Sequence, residues 1–87
     1  SRTVQICNRR GLHARASAKF VTMASGLSAQ IEVEKDGTRV VGTSIMGLMM
    51  LGAALGDEIT IYGSGEGAED AVAELAALVE ARFHEAE

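Results

Sequence analysis

The chain has 87 residues, 47% of them hydrophobic and 23% charged, with ten glycines and neither proline nor tryptophan, which excludes a disordered, collagenous or fibrous chain and a two-domain enzyme. A net charge of −4 and 3% aromatic content argue against nucleic acid as a partner. No segment approaches the roughly 18–20 continuous apolar residues of a membrane span, and the single Cys7 permits neither an intrachain disulfide nor a cysteine-only zinc site.

Residues 1–87 are therefore expected to form one domain with no membrane insertion, in a reducing, cytoplasmic setting. A chain this short buries only roughly 60–65% of its unfolded surface, so its chemistry is expected at the surface rather than in a deep cavity.

Residues 3–7 alternate apolar and polar side chains as a half-buried strand does, and Cys7 reads as a small hydrophobe at the strand end. A loop with Gly11 comes next. Residues 14–25 are rich in helix formers, and Leu12, Ala16, Phe20, Met23 and Leu27 recur at spacings of three and four. Gly26 is expected to end this helix as a left-handed residue. Residues 29–35 alternate through Ile31 and Val33, and Asp36-Gly37 signals a two-residue hairpin because both turn positions need positive φ. Residues 38–42 return as a strand.

Thr43 and Ser44 are cap candidates for a short helix over 45–51, with Gly52 and Gly56 beyond it. Residues 58–62 form a fourth strand. From 68 to about 83, Ala71, Val72, Leu75, Leu78 and Val79 mark the stripe of a long final helix. The order βαββαβα, with single-striped helices, implies an α+β class: a two-layer open-faced sandwich with helices on one face of the sheet.

Charge is segregated along the chain. Residues 1–31 contain no acid but hold Arg2, Arg9, Arg10, Arg15 and Lys19, whereas Glu66, Glu69, Asp70, Glu74, Glu80, Glu85 and Glu87 crowd the other end against Arg82. The acids read as a solvated helical face, and His84 among them as solvent-exposed. The N-terminal cations suit phosphate or an acidic protein surface.

His13 immediately precedes the first helix, where unpaired N–H groups and the positive end of the dipole converge. Imidazole has an ordinary pKa of about 6.5, so a neutral nitrogen is available near pH 7 to attack phosphorus. Arg15 lies two residues on. At ~4 Å and an effective dielectric near 20, its attraction to a phosphoryl charge is roughly 4 kcal/mol before desolvation, against about 0.3–2 kcal/mol from helix amides.

The stretch Asn8-Arg9-Arg10-Gly11-Leu12-His13-Ala14-Arg15-Ala16-Ser17-Ala18-Lys19-Phe20-Val21 resembles the active-site segment of HPr, the histidine-containing phosphocarrier family of the bacterial phosphotransferase system. Gly42-Thr43-Ser44-Ile45-Met46-Gly47-Leu48-Met49-Met50-Leu51-Gly52 resembles that family's regulatory-serine helix, so the resemblance spans essentially the whole chain. It implies a four-stranded antiparallel sheet with three helices on one face. It also implies that His13 accepts a phosphoryl group on Nδ1 from phosphorylated enzyme I, charged by phosphoenolpyruvate, and passes it to an EIIA-type protein.

Arg15 and the backbone amides near Ala14, Arg15 and Ala16 would hold the phosphoryl oxygens. No metal, cofactor or oligomer is implied, and the carrier is expected to be a monomer and a system component rather than a stand-alone enzyme. Ala16 stands where family members commonly have proline, and Arg10 where many have asparagine; the alanine resembles the nitrogen-related or regulatory branch more than the sugar-transport branch.

Ser44 has two readings: a helix N-cap, or, by the resemblance, the target of an HPr kinase whose phosphate would repel an acidic partner. Leu48 and Leu51, a turn apart, are core candidates, which leaves Ile45, Met46 and Met49 for a partner-binding patch. Two further hypotheses stand beside the carrier: a non-transferring regulatory module displaying His13 and Ser44, and a small hydrolase using His13. The hydrolase lacks an acid–base pair or metal cluster near that histidine.

Overall fold

A computed structural model describes residues 1–86. Its elements are β1 (Arg2–Gln5), α1 (Ala14–Ser25), β2 (Gln30–Lys35), β3 (Thr38–Val41), α2 (Ile45–Met50), β4 (Glu58–Ser64) and α3 (Ala68–Glu80), followed by a 3-10 turn at Arg82–His84. The strands form one antiparallel sheet in the order β1-β4-β2-β3, with Val4 opposite Ile59 and Val33 opposite Ile61. The hairpin lies where Asp36-Gly37 places it, with φ of 50° and 84° at the two turn residues.

Alternation assigns the faces of the sheet. Val4, Ile31, Val33, Ile59 and Ile61 are buried beneath the helices. On the open face Thr3 and Thr60 join hydroxyls at 2.9 Å, and Arg39 stacks 3.8 Å from the Tyr62 ring centroid while reaching Glu32 and Glu34. α3 packs on β4 and β1, and α1 lies against α2 and α3. Phe20, Leu48, Leu75 and Val79 close the core. Fully burying such side chains is worth roughly 1.5–3 kcal/mol each, and that burial holds the short helices in place.

Two expectations change. Gly26 has φ −84° and caps α1 in the right-handed region, so the left-handed residue expected there is absent; its N–H reaches the Met23 and Ala24 carbonyls without it. The last helix ends at Glu80 rather than near residue 83. Arg82, Phe83 and His84 instead adopt φ of 58°, 55° and 58°, a left-handed turn built from three non-glycine residues. Each such residue costs roughly 1–2 kcal/mol. The offset comes from Phe83, which is fully buried, and from Lys19 Nζ, which donates to the Phe83 carbonyl at 2.7 Å.

Gly11 shapes the loop that leads into His13. Its φ is +64°, and a Cβ there would lie 2.3 Å from the Ala53 carbonyl oxygen, which itself accepts from the Leu12 N–H. Gly37 also has positive φ but faces open space. Gly37→Ala is expected to cost about 1–2 kcal/mol, and Gly11→Ala at least twice that, because it adds a backbone clash to the left-handed strain. Thermal melts check this: at about 4–8 °C per kcal/mol for a domain of this size, equal Tm losses would contradict it.

Candidate functional site

His13 is the N-cap of α1, with extended backbone, and its Nδ1 accepts from the Arg15 backbone N–H at 3.3 Å. The side chain keeps 16% of its surface exposed, so the ring is sheltered but not sealed from solvent. The first turn carries no acidic residue, leaving the positive helix end uncompensated by side chains of its own. Ser17 is buried one turn on, and its Oγ donates to the Leu12 carbonyl at 3.1 Å, fixing the loop that delivers His13.

The other ring nitrogen, Nε2, pairs with Glu85 Oε2. The second oxygen of that carboxylate accepts from Asn8 Nδ2 at 3.0 Å, and the same amide nitrogen donates to the Gly11 carbonyl at 2.8 Å. Asn8 is fully buried. Glu85 thus leaves the solvated helical face assigned to it: the left-handed turn carries it back over the start of α1. Glu87 lies outside the described residues. Burial pushes the Glu85 carboxyl up, but hydrogen bonds from Asn8 and His13 and the charges of His13 and Lys19 outweigh it and hold the group below the usual carboxylate range.

Beside this pair is an open depression of about 440 Å³ whose lining includes Arg9, Arg10, Arg15 and Lys19, with His84 and Glu85. Four cations lining one depression concentrate anions there. Arg15 is exposed, as is Ala14, whereas Ala16 is buried beneath the helix start. His84 is exposed, as expected.

Ser44 is the N-cap of α2, its Oγ accepting from the Gly47 N–H at 2.9 Å. Leu48 and Leu51 are buried. Ile45, Met46 and Met49 are exposed, and Met50 is the most exposed of the group at 79%, with Leu55 and Val41 also open. Sequence reasoning misses Met50, Leu55 and Val41, because an apolar run around a helix does not say which side faces water. It misses the roles of Asn8, Lys19 and Glu85 for another reason: Glu85 reaches the histidine through a turn that periodicity does not encode, and Asn8 and Lys19 hold that arrangement through Glu85 and the Phe83 carbonyl.

An open-faced α+β sandwich that presents a half-sheltered imidazole at a helix N-terminus, with a cationic depression next to its carboxylate partner and an exposed apolar patch on α2, has the form of a small surface-acting phosphoryl carrier. The family model for the PTS HPr component phosphorylation site matches residues 1–81, and the chain belongs to that phosphocarrier family. It is 41% identical over 85 residues to phosphocarrier protein NPr of Shewanella violacea, covering 98% of this chain and 93% of that one.

HPr of Thermoanaerobacter tengcongensis superposes with a TM-score of 0.93 at 43% identity, covering 99% and 97% of the two chains. Crh of Bacillus subtilis, a catabolite-repression protein described as a dimer with domain swapping, superposes at 0.78 with 38% identity and 94% coverage of each. Among the described residues no helix is long and apolar enough to cross a membrane.

The depressed Glu85 carboxyl gives a pH prediction. A group whose folded value lies below its ordinary 4.5 stabilises the fold above about pH 4.5 and loses that contribution as pH falls through the lower folded value. The stability gap between the native protein and Glu85→Gln, read from denaturant midpoints, should therefore be full at pH 7 and shrink as pH falls below about 4.5 and through the lower folded value. A gap that stays constant across that range contradicts the assignment.

Proposed function

We propose that the protein carries phosphoryl groups on His13 Nδ1, taking them from phosphorylated enzyme I, charged by phosphoenolpyruvate, and delivering them to an EIIA-type protein in the cytoplasm. The observation that carries this reading is the orientation of His13: its Nδ1 faces the first-turn amide of Arg15 at the start of α1. The Nδ1 lone pair attacks phosphorus, and the bond from phosphorus to the donor breaks with its electron pair leaving on the donor.

The amide that points at Nδ1 is then placed for a phosphoryl oxygen. Arg15, with the backbone near Ala14 and Ala16, supplies the remaining stabilisation. At 3.3 Å the amide contact is long, so little is lost when it passes from nitrogen to oxygen. Phosphoryl transfer of this kind needs alignment and charge, which a docked partner completes without a cavity, metal or cofactor on the carrier.

Docking uses the apolar patch of Ile45, Met46 and Met49, extended by Met50, since unbranched methionines adapt to more than one partner. Ser44, at the rim of that patch, is the regulatory phosphorylation site for an HPr kinase. A phosphate there gains from the α2 dipole and repels an acidic partner. The carrier acts as a monomeric single domain. A second reading is favoured by the likeness to Crh: a regulatory module that displays the same surfaces without transferring.

Incubation with enzyme I, magnesium and radiolabelled phosphoenolpyruvate separates the two. The carrier reading expects stoichiometric acid-labile label, absent in His13→Ala and discharged to an EIIA protein, with Arg15→Ala slowing labelling about 100-fold. No label from several competent enzymes I favours the module. Steady phosphate release by the domain alone would instead mark a hydrolase. Met46→Asp should raise the acceptor concentration needed for half-maximal discharge while leaving the Tm unchanged; an unaltered requirement would remove Met46 from the docking surface.

A further inference from the structure

We infer that Glu85 is the positioning residue of the His13 imidazole: its carboxylate receives the Nε2 proton in a hydrogen bond and so keeps Nδ1 unprotonated, facing out as the reactive nitrogen. This rests on the reading of His13 as the phosphoryl acceptor. The two ring nitrogens make different contacts. Nδ1 accepts from a backbone N–H and so must present a lone pair there; Nε2 meets a carboxylate and so must carry the proton. Both partners select the same neutral tautomer.

The carboxylate is itself held. Oε2 engages the ring and Oε1 the Asn8 amide, whose other hydrogen bond ties it to the Gly11 carbonyl in the loop leading into His13. Glu85 arrives through three consecutive left-handed residues, locked by buried Phe83 and by Lys19 on its carbonyl. Strained backbone of this sort persists only where surrounding contacts fix it, and its product here is a carboxylate against the imidazole. Arg9, Arg10, Arg15 and Lys19 line the same depression, and the hydrogen bond from Asn8 and the charge of Lys19 favour an ionised Glu85.

The tautomer dictates the chemistry. When Nδ1 attacks, the N–P bond forms, the donor bond breaks with its electron pair on the donor, and the ring becomes a phosphoimidazolium that keeps its Nε2 proton. Glu85 faces that positive charge. On discharge the N–P pair returns to Nδ1 and the ring leaves as neutral imidazole instead of imidazolate. No proton moves in either direction.

The test combines ¹⁵N NMR of His13 with the transfer assay on the full chain. Where the ¹⁵N shifts report a neutral ring, the native protein should show the Nε2–H tautomer in at least about nine-tenths of molecules. Glu85→Ala should mix the tautomers and slow labelling roughly tenfold, the scale of losing a ring-orienting partner. Glu85→Gln, whose carbonyl can still accept from Nε2, should restore the tautomer and part of the rate. A native Nδ1–H tautomer, or a ratio unchanged in Glu85→Ala, overturns the inference. Absence of label on native His13 alongside the expected tautomer would instead defeat the carrier reading, so the two failures are distinguishable.

Discussion

The N–H of Arg15 pointing at Nδ1 of His13 is the contact around which the site is arranged. It uses one of the donors that every helix leaves unpaired at its start, and it makes the histidine the cap of α1. A side chain in that position is held by the backbone rather than by a pocket. An 87-residue domain with little interior to spare can therefore orient a nucleophile at its surface. The same helix end supplies partial positive charge, and Arg15 a full one, where charge accumulates in the proposed transfer.

That arrangement depends on distant parts of the chain. Gly11 lets the loop pass against Ala53, Ser17 anchors it from below, and Asn8 spans the loop and the C-terminal turn. The left-handed turn sacrifices backbone energy at Arg82, Phe83 and His84 and recovers it through a buried phenyl ring and the Lys19 clamp. Two elements widely separated in sequence thereby converge on one imidazole, each holding a different nitrogen. The acidic tail and the basic N-terminal region meet there.

Much of this is legible in the residues. Apolar periodicity fixes the order of strands and helices, Asp36-Gly37 the hairpin, and Leu48 with Leu51 the buried side of α2. His13 at a helix start needs only position and chemistry to stand out. The C-terminal turn is not legible: Phe83 comes four residues after Val79, so its burial extends the helical stripe, and nothing in Arg82 or His84 announces positive φ. Glu85 consequently reads as another solvated acid. Gly26 shows the reverse failure, a glycine after a helix that stays right-handed because ordinary backbone bonds already satisfy the last turn.

The most direct test of the central claim is which nitrogen holds the phosphorus. ¹⁵N and ³¹P NMR of the protein phosphorylated in place should show phosphorus coupled to Nδ1 of His13 with the proton retained on Nε2. Phosphorus on Nε2, or on any residue other than His13, would contradict the account.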